Sequence, residues 1–313
     1  MDQAADLPPQ ARAPLDRRAL GRSLTRLANA SVAEVLAHAG RLDDAGRTPV
    51  SRIGLTGPPG AGKSSLGGRL AVLRARTARV GVLAIDPSSP RSGGAILGDR
   101  IRMDELAGAD ELFVRSLASR TAGDGLAQNI PELLHAMEHA GFEEVILETV
   151  GVGQAEHAVR HQVDTLVLVL NPESGDVVQA MKAGVMELAD IYLINKSDLP
   201  GAARLAGEIQ RVLQLSRGDA DGWLAPVLLT SIRDAASIER LSAEIDLHLA
   251  WRRDTYRGRD PRDARARYRL RALLERRVAE VAGSLPPDFF DQPLEAQVAR
   301  AIGLLRPADA PPG

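Results

Sequence analysis

The stretch that decides the fold is Gly57-Pro58-Pro59-Gly60-Ala61-Gly62-Lys63-Ser64. It matches the phosphate-loop pattern G-x-x-x-x-G-K-[ST] at every fixed position. A short apolar segment at 53–56 precedes it and predicts a strand, while leucines at helical spacing between Leu66 and Leu73 predict a helix. A strand, a glycine turn and a helix start are the context that this motif requires, so the pattern predicts a nucleotide-phosphate site.

The loop also predicts how phosphates would be held. Its glycines let backbone N–H groups wrap around phosphate oxygens, and the helix start adds a partial positive charge. Lys63 would reach the β- and γ-phosphates, and the Ser64 hydroxyl would ligate Mg²⁺. The alternative is a glycine-rich turn with a chance lysine, which the matching flanks disfavour. The candidate phosphate-binding residues are Gly57, Pro58, Pro59, Gly60, Ala61, Gly62, Lys63, Ser64 and Ser65.

The overall amino-acid composition argues against several classes of function. The 39 basic residues nearly balance the 41 acidic ones, so net charge does not favour a nucleic-acid partner. The chain has no cysteine, which removes disulfides, thiolate metal sites and cysteine nucleophiles. No apolar run approaches a membrane span, and the N-terminus lacks a hydrophobic signal core. We therefore expect a soluble cytoplasmic protein without a membrane partner.

Lysine is rare in this arginine-biased chain. It occurs only at Lys63, Lys182 and Lys196. A lysine is favoured over arginine where a compact ammonium is needed and a planar guanidinium will not serve. Lys63 lies in the phosphate loop and Lys196 in a base-reading motif, which makes Lys182 a candidate functional residue as well.

The length and the hydrophobic pattern predict three parts. Residues 1–48 should be a disordered lead followed by two short helices, broken near Asn29. Residues 49–250 alternate apolar strands with helical segments, which predicts a nucleotide-binding α/β domain with a mostly parallel sheet. Residues 251–313 should form a helical arm whose arginines lie on a solvated face. Within it, Phe289 and Phe290 are candidate apolar anchors of a two-chain assembly.

Acidic residues follow two of the predicted strands. Asp86 ends the apolar run at 80–85, and Glu148 ends the run at 144–147. Acids at the carboxyl ends of strands beside a phosphate loop are placed to hold Mg²⁺ or its waters. A turn-forming Asp-Pro is the alternative for Asp86. Asp99, in a glycine-punctuated loop, is a further candidate.

Two more segments complete a nucleotide site. Glu148-Thr149-Val150-Gly151 has the shape of a D-x-x-G switch, in which the Gly151 N–H contacts the γ-phosphate. Asn195-Lys196-Ser197-Asp198 is an N-K-x-D motif, whose aspartate accepts two hydrogen bonds that guanine offers and adenine cannot. The alternative is a polar turn that caps a helix. The candidate base-binding residues are Asn195, Lys196, Asp198, Ser231 and Ile232.

Histidines occur at four-residue spacing in two pairs. His135 with His139, and His157 with His161, could clip a metal to one helix face. Because no third ligand is evident, packing or surface roles are favoured.

The motifs together make the sequence similar to the GTPase chaperones of adenosylcobalamin-dependent acyl-CoA mutases, the methylmalonyl-CoA mutase-associated GTPase family. The resemblance covers roughly residues 20–250. It is carried by G-P-P-G-A-G-K-S at 57–64, D-P-S-S at 86–89, G-G-A-I-L-G-D-R-I-R-M at 93–103, E-T-V-G-V-G-Q at 148–154, G-D-V-V-Q-A-M-K-A-G at 175–184 and E-L-A-D at 187–190. The chain departs from the family at S-I-R-D, 231–234, where S-A-x-x-G is usual.

The resemblance implies a three-layer P-loop fold with an N-terminal helical extension and a C-terminal arm that joins two chains. It implies GTP as substrate and GDP as product. It also implies an Mg²⁺ shell of Ser64, Asp86, Asp99 and Glu148, and a mutase-sensing third switch at 175–184 that carries Lys182. Because Val152 follows Gly151 directly, Gln154 is the nearest candidate for positioning water. We therefore expect slow intrinsic hydrolysis that a partner accelerates.

Two other functions stay open at the level of sequence. A nickel-type metal-insertion GTPase has a related fold, but it normally needs cysteine or histidine near its switches. A kinase acting on a transport protein follows from older names in this family. The N-K-x-D motif, and a chain without a second substrate domain, argue against the kinase.

Overall fold

A seven-stranded sheet forms the centre of the protein. The computed structural model describes residues 14–39, 50–87, 111–119, 129–149, 159–173, 189–215, 222–255 and 261–305, with backbone alone at 38, 39, 86, 87, 118, 119, 261 and 262. The strand order is β3-β2-β4-β1-β5-β6-β7, and every adjacent pair is parallel. The strands are β1 Ser51–Thr56, β2 Val80–Pro87, β3 Leu112–Ser119, β4 Glu144–Thr149, β5 Thr165–Leu170, β6 Ile191–Ile194 and β7 Val227–Leu229. The predicted α/β class is confirmed.

Helices cover the sheet and extend beyond it. They are α1 Arg17–Asn29, α2 Val32–Ala39, α3 Lys63–Arg74, α4 Ile130–His139, α5 Ala202–Leu215, α6 Ala235–Thr255, α7 Pro261–Ser284 and α8 Leu294–Leu305, with a 3₁₀ helix at Pro287–Asp291 between the last two. The break between α1 and α2 lies where the sequence predicts it. None of the described helices is long and apolar enough to cross a membrane.

Side-chain alternation along the strands builds a core on each side of the sheet. Successive residues of a strand point to opposite faces. In β4, Val145 and Leu147 join the core under α1 and α4, while Ile146 joins the core under α3 and α6. A third cluster lies between α5 and the strands β5 and β6. Because the central strands are buried on both faces, they read as continuous apolar runs.

Helix α7 of the C-terminal arm is bound to the rest of the protein by polar contacts. The Arg276 guanidinium donates to Asn129 Oδ1 and to the Ala30 carbonyl. Nearby, the Val32 N–H donates to Glu280 Oε1 at 3.1 Å. These bonds join α7 to the turn between α1 and α2, and to the start of α4.

The expectation for the paired phenylalanines is wrong for one of them. Phe289 is only 3% exposed and packs edge-to-face on Phe290, with Arg300 over its other side. It therefore fills the turn between α7 and α8 and is not available to a second chain. Phe290 is 56% exposed.

Candidate nucleotide site

The phosphate loop joins β1 to α3 through glycines in conformations that other residues avoid. Gly57, Gly60 and Gly62 have φ of +142°, +77° and +84°. A Cβ at Gly57 would lie 2.0 Å from the Val169 carbonyl oxygen of the adjacent strand. The loop therefore keeps this shape only because glycine stands at these positions.

Lys63 closes the loop from inside. Its ammonium donates to the carbonyls of Gly57 at 2.8 Å and Pro58 at 2.9 Å, and the residue is only 5% exposed. A buried ammonium is stable when carbonyl oxygens accept its hydrogen bonds. The Lys63 ammonium, which is predicted to bind phosphates, thus lies within the phosphate loop.

Ser64 and Glu148, predicted as partners of one Mg²⁺, are brought together. Ser64 Oγ donates to Glu148 Oε1 at 2.6 Å across the gap between α3 and β4. Glu148 is 3% exposed at the carboxyl end of its strand. On the neighbouring strand Ala84 pairs with Glu148, which places the Asp86 backbone two residues farther along the same edge. The Asp86 side chain, Asp99, Gly151, Gln154 and Lys182 lie outside the described residues.

Asn195 connects the base-reading motif to the phosphate loop. Its amide Nδ2 donates to the Ala61 carbonyl at 2.8 Å, and it approaches the Gly62 carbonyl at 3.5 Å. The next residue, Lys196, adopts φ +55°, and its ammonium lies 3.7 Å from Glu173 Oε2. The N-K-x-D motif and the phosphate loop thus form one continuous site.

The Asp198 carboxylate is held by two donors. Ser231 Oγ donates to Oδ1 at 2.8 Å, and Arg233 Nη1 lies 3.4 Å from Oδ2. The Ser231 hydrogen bond lowers the pKa of Asp198, with smaller contributions from its own backbone, Arg233 and Lys196. The side chain is therefore an anionic hydrogen-bond acceptor at neutral pH.

Of the two residues predicted to cover the base, only Ser231 is fixed by packing. Ser231 is buried, and its N–H donates a hydrogen bond to Ser237 Oγ at 3.1 Å. Ile232 is exposed. Ser231 is thus fixed beside Asp198, whereas Ile232 faces outward.

Sequence reasoning missed two residues at this site. Asn171 donates from Nδ2 to the Gly60 carbonyl at 3.2 Å and so supports the phosphate loop from the end of β5. Arg233 faces Asp198 from a loop 35 residues away along the chain. The sequence could have indicated Asn171, because it directly follows a buried strand that lies beside β1. The contact of Arg233 with Asp198 is visible only in the tertiary structure.

The described histidines have packing roles. The rings of His135 and His139 lie 4.3 Å apart, and His139 Nδ1 is 2.9 Å from the His135 carbonyl oxygen. His161 stacks on Tyr268 of α7. Within the described ranges no group of three or more potential metal ligands occurs. His157 lies outside them.

Comparison with known proteins decides the family. The sequence model of the family described as "Methylmalonyl Co-A mutase-associated GTPase MeaB" matches residues 21–284. The chain belongs to this family. The chain is also similar to proteins named as GTPases, among them GTPase ArgK of Escherichia coli, which is 39% identical over 194 residues, 61% of this chain and 59% of that protein.

Two further likenesses to the MeaB-family chain are informative. The mouse protein named "Methylmalonic aciduria type A homolog, mitochondrial" is 39% identical over 207 residues, 64% of this chain and 49% of that protein. The solved structure titled "Crystal structure of LAO/AO transport system kinase" superposes with a TM-score of 0.64 at 26% identity and covers 93% of both chains. The P-loop fold predicted from the motifs is confirmed.

Proposed function

We propose that this MeaB-family protein binds GTP with Mg²⁺, hydrolyses GTP slowly alone, and uses the cycle to gate loading, protection or reactivation of an adenosylcobalamin-dependent acyl-CoA mutase. The observation that carries the nucleotide part is the Asn195 bond to the phosphate loop. That bond joins the segment that carries Asp198, the guanine acceptor we propose, to the loop that carries the buried ammonium of Lys63, and so supports a shared nucleotide site.

The donor set suits Mg²⁺. This ion prefers oxygen ligands, and Ser64 Oγ and Glu148 Oε1 are two such atoms 2.6 Å apart. Asp86 and Asp99 are the further ligands we propose. When bound there, Mg²⁺ would neutralise negative charge on the phosphates.

The chain's own groups would stabilise the transferring phosphoryl group. Lys63 would exchange its carbonyl partners for β- and γ-phosphate oxygens, a stronger interaction because both partners are then charged. The Gly151 N–H would contact the γ-phosphate, and Gln154 would orient water for in-line attack. The bond that breaks joins the γ-phosphorus to its bridging oxygen, and water supplies the oxygen that replaces it.

The partner proposal rests on family membership and on the segment that carries Lys182. The family description names methylmalonyl-CoA mutase. A lysine delivered to the γ-phosphate when a partner docks would act as an arginine finger does. This would make hydrolysis conditional on the mutase.

The guanine assignment is tested by nucleotide choice. Wild-type protein should bind and hydrolyse GTP in strong preference to ATP. Asp198→Asn should weaken GTP binding and favour xanthosine triphosphate, since an amide donates where the carboxylate accepted. Asp254→Asn, an exposed acid at the far end of α6, is the matched control. Equal affinity of wild type for ATP and GTP would refute the assignment.

The mutase role needs its own experiment. Purification from the native cell should recover a cobalamin mutase, identified by mass spectrometry, and adding that mutase should accelerate release of inorganic phosphate. Phosphate appearing on a protein instead of in solution would favour the kinase alternative. If the mutase neither binds this protein nor accelerates its GTP hydrolysis, the proposed chaperone role is refuted, whereas the proposed GTPase activity is not.

We also propose that two chains assemble through the arm. Apolar side chains recur every four residues on both of its long helices and are at least half exposed: Leu270, Leu274 and Val278 on α7, and Leu294, Val298 and Ile302 on α8. Contiguous exposed apolar stripes favour an interface. Light scattering should give two chains for the full-length protein and one for a chain ending at Asp254. A monomeric full-length protein would contradict the proposal.

A further inference from the structure

A cleft lined by arginines lies at the edge of the sheet, between α1 and β3. Its volume is about 570 Å³, which falls within the range of small-molecule sites. It shares no lining residue with the phosphate loop or the base-reading loop. We call it the arginine cleft, and it is lined by Arg18, Gly21, Arg22, Thr25, Arg26 and Arg115.

Three of the arginines form a row on one helix face. Arg18, Arg22 and Arg26 recur every four residues, so their side chains lie one above another along α1. From the first to the last the row spans about 12 Å of helix axis. Such a row offers several guanidinium groups to one extended anion.

The fourth arginine enters from the sheet. Arg115 lies on the edge strand β3, and its Nη2 donates to Thr25 Oγ1 at 2.6 Å. This bond fixes the Arg115 side chain against α1, opposite the row. The cleft thus presents positive charge on two walls that different elements of the fold position.

The arginines of the row on α1 have few acidic neighbours within the described ranges. Within the described ranges, no carboxylate forms an ion pair with Arg18, Arg22 or Arg26. Glu34 on α2 accepts hydrogen bonds from the Ser31 N–H at 2.7 Å and the Ser31 hydroxyl at 2.9 Å. These bonds are the main cause of its lowered pKa, to which the nearby charge of Arg26 also contributes. Among the described residues, Arg18 and Arg22 therefore have no acidic partner that an incoming anion would have to displace.

Gly21 is a second and independent indication. Glycine lowers helix stability, yet it occupies the middle of α1. Packing does not require it, because a Cβ built there would have no atom within 4 Å. The missing side chain leaves the cleft open between Arg18, Arg22 and Thr25.

We propose that the arginine cleft binds a diphosphate ester. The planar guanidinium fork matches phosphate oxygens bidentately, and facing arginines can hold adjacent phosphoryl groups from both sides. The volume of about 570 Å³ is that of a small-molecule site. An acidic protein segment is the competing occupant, and the experiment separates the two.

The test uses calorimetry on the full chain with GDP bound in the phosphate loop. Inorganic pyrophosphate and ADP are titrated separately, since ADP lacks the groups that the guanine motif reads. Saturable binding of one equivalent is expected. Equal affinity for pyrophosphate and ADP would show that the cleft recognises the diphosphate alone. Tighter binding of ADP would show that the cleft also contacts the nucleoside, and either result supports the proposal.

Three variants locate the binding. Arg22→Ala and Arg115→Ala should each weaken it by about tenfold or more, the loss expected for a charge-assisted hydrogen bond. Gly21→Leu should block the cleft without removing charge. Arg204→Ala, an exposed arginine on α5, is the matched control and should bind as wild type does.

The proposal fails on any of three results. The first is that neither pyrophosphate nor ADP binds saturably to the GDP-loaded chain. The second is that binding persists unchanged in both arginine variants, which would place it elsewhere. A poly-glutamate peptide that binds while both diphosphates do not would make the cleft a protein-docking surface instead.

Discussion

A single methyl group at Gly62 should disturb both loops of the nucleotide site. Gly62 has φ +84°, a conformation that costs a residue with a side chain about 1–2 kcal/mol. An added Cβ would also lie 2.5 Å from Asn195 Nδ2, so the amide has to move away. Its hydrogen bond to the Ala61 carbonyl would then be lost, at about 0.5–1.5 kcal/mol.

These two costs predict the size of the effect. Gly62→Ala should lower the free energy of unfolding by about 1.5–3.5 kcal/mol. Gly60→Ala is the matched control, because its φ is +77° and an added Cβ meets nothing within 4 Å. It should cost only the backbone part, about 1–2 kcal/mol. Urea unfolding of both variants gives the comparison.

A double-mutant cycle isolates the contact with Asn195. In an Asn195→Ala background the methyl group no longer meets the amide, so Gly62→Ala should cost no more than Gly60→Ala does. In the wild-type background Gly62→Ala should also weaken binding of a fluorescent GDP more than Gly60→Ala does. Equal costs for Gly62→Ala in the two backgrounds would refute the reasoning.

Three further predictions concern the site, the partner and the core. Glu148→Gln should slow GTP hydrolysis and raise its Mg²⁺ requirement far more than it lowers the melting temperature, because the amide oxygen can still accept from Ser64; an unchanged Mg²⁺ titration would contradict this. Lys182→Ala should leave GTP affinity and basal turnover nearly intact but abolish stimulation by the mutase, whereas full stimulation would make Lys182 a surface residue. Burial lowers the pKa of His248 below its ordinary 6.5, although the negative charge of Asp190 opposes this shift. Because the unfolded chain then binds the proton at a higher pH than the folded chain, the free energy of unfolding decreases as pH falls below 6.5. Urea unfolding followed by Trp223 and Trp251, which pack on this ring, should show a shallower pH dependence in His248→Asn; an unchanged slope would locate the titration elsewhere.

The sequence by itself determined the parallel α/β fold and which segments form the candidate nucleotide site. The apolar runs that precede Gly57, Asp86 and Asn195 could be read as strands because buried parallel strands are apolar on both faces. Carboxyl ends of adjacent parallel strands meet at one edge, so the closeness of Ser64 and Glu148 followed from the motif spacing. These inferences depend on local pattern, which one stretch of chain carries alone.

Only the tertiary structure decided how distant segments meet. The Asn195 amide on the phosphate loop, Arg233 beside Asp198 and Arg115 facing α1 each join residues that lie 35 or more positions apart. Phe289 shows the same limit, because an apolar residue near the end of a chain can face a partner or turn inward. Burial depends on which elements pack against a side chain, and no local pattern encodes that.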